Sequence, residues 1–282
     1  MRQAYFQRGR IRAYLGDTLE VMAELEAAGE RFDLVFTSPP YNLGVSAGGG
    51  LRHAGRTVRW TGQYKPSKHR RSREAGLAQG YRDYGDDRPM ADYVAWQQAC
   101  LRAMWRLLTA DGAIFFNHKP RSWHLRTVLP TTYLPSELLA YHRQEVILRR
   151  FGGVNTNTAY YLPTHERIEI LARPRWRLAD GGWNATDVWD MPVARGNAHP
   201  APFDPALPGR AIATTGARSL LDPFCGSGSS LVAADQAGIA AVGIDRVAEY
   251  PYLDYARERL EYGPLFGGQA HLPLAGAGDG TP

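Results

Sequence analysis

Two short motifs carry residue types that could do chemistry on a nitrogen atom. The first, Thr37-Ser38-Pro39-Pro40-Tyr41-Asn42, directly follows the apolar run Phe32-Asp33-Leu34-Val35-Phe36. Consecutive prolines stiffen the backbone and lack N–H groups, so no neighbouring donor competes for the carbonyls around them. Ser38 adds a hydroxyl and Tyr41 a flat ring. The set suits an exocyclic amine, which is a poor nucleophile because its lone pair is delocalised into the base. Hydrogen bonds from its N–H groups to the Ser38 side chain and the Pro39 carbonyl would pull it toward tetrahedral geometry and aim the lone pair at a methyl donor. Tyr41 would stack on a base turned out of the duplex. The bland reading of the tetrapeptide is a Pro-Pro turn that ends a strand.

The second motif is Asp222-Pro223-Phe224-Cys225-Gly226-Ser227-Gly228-Ser229-Ser230. It lies between an apolar run and a helical pattern, and the next apolar run ends in Asp245, 23 residues after Asp222. Glycines 226 and 228 let the backbone turn sharply and approach a ligand at a helix N-terminus, while the later acid can chelate ribose hydroxyls. A dinucleotide fingerprint needs a third glycine, and Leu231 stands there; no P-loop Gly-Lys-Ser/Thr is present. A cofactor with a ribose but no phosphates fits better, and S-adenosyl-L-methionine is the candidate. Asp222 could accept from its ammonium or from a bound water. The alternative is a glycine turn that only packs a helix on a sheet.

These motifs require strands that deliver them and helices that follow. Short apolar runs alternate with helical patterns along the chain, the signature of a parallel sheet covered on both faces. The class expected is α/β, a doubly wound, mostly parallel, seven-stranded sheet. Strand 11–15 leads into a helix opened by Asp17, with Glu20 placed as in a capping box, and then into strand 32–37. A helix over about 91–108 places Val94, Leu101, Met104, Trp105 and Leu108 at helical spacing, and the Asp111-Gly112 turn delivers strand 113–117. Runs 145–149 and 167–172 read as a hairpin around a polar insert. The last third predicts strand 219–224, helix 229–237, strand 240–245 and helix 247–262. Residues 1–262 are read as a single catalytic domain and 263–282, rich in Gly, Pro and Ala, as a flexible tail.

The chain of 282 residues can bury a full core, and its net charge of +5 permits a polyanionic partner. The charge is local. Between residues 43 and 89, Gly48-Gly49-Gly50 precedes Arg52, Arg56, Arg59, Lys65, Lys68, Arg70, Arg71, Arg73, Arg82 and Arg88, opposed by Glu74, Asp83, Asp86 and Asp87. Interleaved Trp60, Tyr64, Tyr81 and Tyr84 suit a surface that meets phosphates and bases, although a solvated insert has the same composition. DNA contacts are expected from this insert, from Asn42, and from Arg150, Asn155 and Asn157 in a target-recognition loop over 150–165. Cys100 and Cys225 are the only cysteines, which excludes a disulfide framework. No histidine pair has a helical metal spacing, so no metal is expected. The N-terminal residues lack an apolar signal region and no stretch is long enough to span a bilayer, so a cytoplasmic protein without membrane contact is expected.

Together the residues resemble the DNA amino-methyltransferases, whose catalytic motif is (Asp/Asn/Ser)-Pro-Pro-(Tyr/Phe) and whose cofactor motif reads like DPFxGSGT. Here SPPY stands at 38–41 and DPFCGSGSS at 222–230, the catalytic motif first, as in the β arrangement of that family. Ser229 replaces the common threonine. The resemblance implies the class I methyltransferase fold in circularly permuted order, with Ser38, Pro39, Pro40 and Tyr41 as catalytic residues. It implies cofactor contacts from Asp17, Thr37, Ser38, His199, Pro200, Phe203, Asp222, Phe224, Cys225, Gly226, Ser227, Gly228, Ser229 and Asp245. His165-Glu166 before Arg167-Ile168-Glu169-Ile170-Leu171 resembles the family's late strand. Double-stranded DNA, a homodimer and a cognate restriction endonuclease are the partners it implies.

By the resemblance SPPY leans toward cytosine N4 over adenine N6 as the acceptor. Transfer to cytosine C5 is disfavoured, because it needs a nucleophilic cysteine and neither cysteine is placed as one. A nucleic-acid-binding module with a vestigial cofactor fold, and an enzyme acting on RNA or a protein glutamine, are the other readings.

Overall fold

The computed structural model describes residues 2–42, 52–53, 56–57, 88–123, 126–150, 161, 163–191, 203–246 and 252–263. Strands β1 (Phe6–Arg8) and β2 (Ile11–Leu15) form a hairpin, followed by helix α1 (Thr18–Ala27) and β3 (Phe32–Thr37). The two-residue strands β4 (Arg52–His53) and β5 (Arg56–Thr57) pair with each other. Helix α2 (Met90–Arg106) leads to β6 (Leu108–His118), then to a small hairpin of β7 (Arg121–Trp123) and β8 (Arg126–Val128). Two 3-10 turns, Pro130–Tyr133 and Ser136–Tyr141, precede the antiparallel pair β9 (His142–Arg150) and β10 (His165–Ala172). The order ends with β11 (Val188–Met191), α3 (Ala206–Thr215), β12 (Ser219–Asp222), α4 (Ser229–Gln236), β13 (Ala240–Asp245) and α5 (Tyr252–Tyr262).

Among the described residues, nine strands form one sheet in the order β1-β2-β13-β12-β3-β6-β10-β9-β11. The centre, β2-β13-β12-β3-β6, is parallel, whereas β1 and β10 run antiparallel to their neighbours. The α/β class therefore holds, but the sheet is mixed and has nine strands where seven are expected. β1 and β11 lie at the two edges, and each is too short for an alternating pattern to register.

Both faces of the sheet are covered, so successive residues of a central strand are apolar. Leu34, Phe36, Leu220 and Ala241 pack against α3, α4 and α5, while Val35, Leu221, Val242 and Ile244 pack against α1 and α2. Asp17 caps α1, its Oδ1 accepting the Leu19 N–H at 3.0 Å. Glu20 does not close a capping box; it faces Arg2 at 3.4 Å. The expected Asp111-Gly112 turn lies inside β6. Gly112 is tolerated there because β3 comes close: a Cβ at 112 would stand 3.0 Å from the Phe32 carbonyl oxygen. A register shift between Phe32 and Leu34 accommodates the irregularity. Among the described residues no helix is long and apolar enough to cross a membrane.

Candidate functional site

The two motifs meet because the strands that carry them are neighbours. β3 and β12 pair in parallel, so Thr37 and Asp222 finish side by side, and the Thr37 hydroxyl donates to Asp222 Oδ1 at 3.0 Å. From β12 the chain passes through α4 to β13 on one side; from β3 it passes through α2 to β6 on the other. Such a divergence opens a crevice at the carboxyl ends of parallel strands, where doubly wound sheets bind ligands.

On the cofactor side, the glycine loop is held by the strand end beside it. Gly226 N–H donates to Asp245 Oδ2 at 2.8 Å, Cys225 N–H to the Ile244 carbonyl at 2.9 Å and Gly228 N–H to the Cys225 carbonyl at 2.8 Å. Gly226 and Gly228 both have positive φ, +48° and +75°, which glycine adopts without strain. From α5, Arg259 reaches back to donate to the Ser227 carbonyl at 2.7 Å, and the Ser229 hydroxyl donates to the Phe203 carbonyl at 2.7 Å. Asp17 sits half-exposed at the start of α1, and the ring of Phe224 stands edge-on to Trp96. Cys225 is buried with its sulfur packed over Gly243, and burial pushes its thiol well above the ordinary value. It is a packing residue on its side-chain face.

These groups fit a cofactor with a ribose: Asp245 is a partly buried carboxylate at a strand end, placed by the backbone of the loop a ligand would approach. Asp245→Ala is expected to raise the dissociation constant for S-adenosyl-L-methionine about 10- to 100-fold, the worth of a hydrogen bond to a charged group. Titration calorimetry reads this directly.

Asp222 behaves differently from the sequence expectation. It is fully buried, and both oxygens are taken by protein donors: Thr37 hydroxyl and Phe224 N–H at Oδ1, Ser230 hydroxyl at Oδ2. It ties the catalytic strand to the cofactor loop and is not presented to a ligand's ammonium. Burial pushes its carboxyl up to about 6, against the pull of these three donors. A folded-state pKa above the unfolded one contributes stability that is present below about 4 and lost as pH rises through 6. Relative to wild type, Asp222→Asn is therefore expected to gain on the order of 3 kcal/mol between pH 4 and pH 7 in urea unfolding. His118, whose burial lowers it to about 3, acts in the opposite sense, but both proteins carry it and the comparison cancels it.

On the catalytic side, Ser38 and Tyr41 are half-buried and Pro39 is buried. The Ser38 and Tyr41 hydroxyls lie 2.7 Å apart. Two residues that sequence reasoning did not assign to the site complete it. Asn117, at the end of β6, donates from Nδ2 to Tyr41 at 3.2 Å and to Glu166 at 2.9 Å. Glu166, at the start of β10, accepts from the Tyr41 hydroxyl at 3.2 Å and from Arg150. The sequence signal for Glu166 is only its place beside His165 at the start of a strand that also carries Arg167 and Glu169, so nothing local singles it out.

Beneath the motif, the Tyr93 hydroxyl lies 2.6 Å from the Pro40 carbonyl and 2.8 Å from His118 Nε2, and accepts from Gln97. His118 is neutral, and its Nδ1 faces the Lys119 carbonyl at 2.8 Å, so Nε2 is the acceptor and the Tyr93 proton is shared between ring and carbonyl. The His118 ring lies 4.6 Å from that of Tyr41, which sets the tyrosine's plane.

Of the expected DNA contacts, Asn42 is corrected by its burial. It has φ +52°, and its amide donates to the Arg88 carbonyl at 2.9 Å, clamping the two ends of the basic insert. Arg150 pairs through Nη1 with Glu166 and keeps 36% of its side chain exposed. The side chains of Arg52, Arg56, Arg59, Lys65, Lys68, Arg70, Arg71, Arg73, Asn155 and Asn157, and residues His199 and Pro200, lie outside the described residues, as does most of the tail.

With this geometry in place, the comparisons agree. The family model described as DNA methylase, of the N6/N4 methyltransferase type, matches residues 32–256. The type II methyltransferase M.ScaI of Streptomyces caespitosus is 28% identical over 91% of this chain and 83% of its own. The fold resembles the cytosine-N4-specific PvuII DNA methyltransferase, with a TM-score of 0.64 at 14% identity over 92% of this chain and 96% of that one. It also resembles a protein of Thermus thermophilus, described as a DNA modification methylase and complexed with S-adenosyl-L-methionine. There the TM-score is 0.57 at 20% identity, over 92% of this chain and 98% of that one. A motif pair joined across β3 and β12, inside a family match that spans most of the sequence, places the chain in the N6/N4 DNA methylase family: it is a DNA amino-methyltransferase.

Proposed function

We propose that this DNA amino-methyltransferase acts on the exocyclic N4 amine of a cytosine flipped out of duplex DNA. S-adenosyl-L-methionine is the methyl donor; when bound, it supplies an electrophilic methyl group on a sulfonium. The observation that carries the reading is the half-buried Ser38 hydroxyl at the end of β3, beside Tyr41 and one strand from the glycine loop. Asp245, Phe224 and Asp17 would hold the cofactor. Ser38 and the Pro39 carbonyl accept the amine's N–H groups, and Tyr41 stacks on the base. A neutral serine where other members carry a carboxylate supports cytosine, as does the likeness to a cytosine-N4-specific enzyme. The motif order fits the β arrangement, residues 1–262 form the catalytic domain, and the type II relative supports a cognate restriction endonuclease as partner.

Incubation of purified protein, S-adenosyl-L-methionine and duplex DNA, followed by nucleoside mass spectrometry, tests it. N4-methylcytosine is expected. N6-methyladenine overturns the base assignment, and unmodified DNA overturns the enzyme reading.

The basic insert over 43–89 and the loop over 150–165 supply the DNA contacts. Neutralising Arg70, Arg71 and Arg73 together is expected to reduce the slope of log K against log salt by roughly 3. Cofactor affinity is expected to stay unchanged. An unaltered slope in fluorescence-anisotropy titrations removes these residues from the DNA interface.

A further inference from the structure

Five polar side chains from four separate strands and loops converge at the end of the catalytic strand: Ser38, Tyr41, Asn117, Arg150 and Glu166. Their hydrogen bonds have only one consistent direction. Glu166 accepts from Arg150 at Oε1 and from Asn117 and Tyr41 at Oε2. An ionised carboxylate is acceptor-only, so the Tyr41 hydroxyl must spend its single proton on Glu166. Tyr41 then has only lone pairs to offer Ser38, and the 2.7 Å contact between the two hydroxyls requires Ser38 to be the donor. With its proton turned inward, Ser38 Oγ accepts from Asn117 Nδ2 at 3.4 Å with one lone pair and offers the other outward.

We propose, resting on the amino-methyltransferase reading above, that Glu166 is a positioning residue that acts through Tyr41 to hold Ser38 as a hydrogen-bond acceptor for the target amine. The direction matters because the opposite one is inhibitory. A Ser38 proton pointing at the amine would bond to the nitrogen lone pair, the pair that must attack the methyl group. Serine alone is indifferent, since its hydroxyl rotates to suit either partner. The carboxylate two hydrogen bonds away removes that freedom. Glu166 is 6% exposed, and the Arg150 guanidinium compensates a charge that burial would otherwise disfavour. Asn117 donates to both Tyr41 and Glu166, which keeps Tyr41 from turning its own proton elsewhere. Arg150 closes β9 as the first residue of the proposed target-recognition loop, and its backbone N–H is bonded to the Thr164 carbonyl at 2.8 Å. The relay is therefore anchored where that loop begins.

A double-mutant cycle tests the relay, using single-turnover rates at saturating duplex DNA and S-adenosyl-L-methionine, with nucleoside mass spectrometry as readout. In Glu166→Gln an amide N–H must face either Arg150 or Tyr41, so the direction of the chain is lost. Glu166→Gln and Tyr41→Phe are each expected to slow transfer by roughly 100-fold, the cost of a misdirected reacting group. The double variant is expected to lie within about twofold of the slower single one, because both break the same chain. Dissociation constants for cofactor and DNA are expected to change less than about threefold. Multiplicative losses in the double variant, a Glu166→Gln rate within twofold of wild type, or a loss confined to binding would each overturn the relay. If Glu166→Gln does not fold, Tyr41→Phe alone decides, since it keeps the stacking ring and deletes only the intervening hydroxyl; a rate within twofold of wild type refutes the proposal. A wild-type protein that leaves DNA unmethylated overturns the functional reading itself, whereas an active wild type with a tolerant Glu166→Gln overturns the relay alone.

Discussion

Ser38→Ala is expected to lower the rate of methyl transfer by 10²- to 10³-fold, the usual loss when one preorganised hydrogen-bond partner is removed from a reacting atom. The substitution deletes the acceptor that draws the amine toward tetrahedral geometry and leaves the backbone of β3 alone. Thr37 and Asp222 tie β3 to the glycine loop through their own contact, so the cofactor site survives. Dissociation constants for S-adenosyl-L-methionine are therefore expected to stay within about twofold of wild type, and the loss to fall on turnover, as it does when an interaction is made mainly in the transition state. Single-turnover kinetics beside titration calorimetry separates the two quantities. A variant that binds cofactor poorly but turns over normally when saturated would move Ser38 from the reaction to the cofactor site.

Gly228→Ala is expected to destabilise the protein by about 3 kcal/mol, from backbone strain of 1–2 kcal/mol and overpacking of similar size. The glycine is at φ +75° as the N-cap of α4, a conformation that costs any L-residue. Its missing side chain is also where α5 touches the loop: a Cβ would stand 2.6 Å from Ala256 Cβ and 3.3 Å from Ala256 Cα. Ala256 is fully buried and part of a helix packed into the core, so the neighbour has nowhere to go. For a chain of this length the loss corresponds to a fall in Tm of roughly 10 °C. Ala256→Gly in the same protein is expected to recover the overpacking share and leave the backbone share. An unchanged unfolding midpoint in Gly228→Ala would mean that the loop relaxes without cost.

The parts that were legible in the sequence were those where one local physical rule decides. The span Phe32–Thr37 was readable as a strand because both faces of a central parallel strand are buried and Leu34-Val35-Phe36 are consecutive apolar residues. Asp17 was readable as a cap because an acid before an apolar helical pattern has an N–H to accept. The Asp111-Gly112 pair misled for the same reason. Read locally it is a turn, but the close approach of β3 keeps it inside β6 and makes the glycine a spacing requirement. The helix over Ala206–Thr215 went unread because Pro208 and Gly209 interrupt its pattern, and packing on the sheet overrides that weak propensity.

The same division runs through the site. SPPY and the glycine loop announce themselves because proline, glycine and a following acid act through the backbone, which the neighbouring residues determine. The sequence by itself thus determined the class of chemistry, the cofactor type and the local concentration of basic charge between residues 43 and 89. Only the tertiary structure decided which side chains meet: that Asp222 is sealed inside as a tie between two strands, that Asn42 turns inward, that Arg150 pairs with Glu166, and that Asn117 and Glu166 join the catalytic hydroxyls. Glu166 is 125 residues from Tyr41 along the chain. No local rule reports such a contact, because it exists only once β3, β6 and β10 have taken adjacent places in the sheet and buried the groups that must satisfy one another.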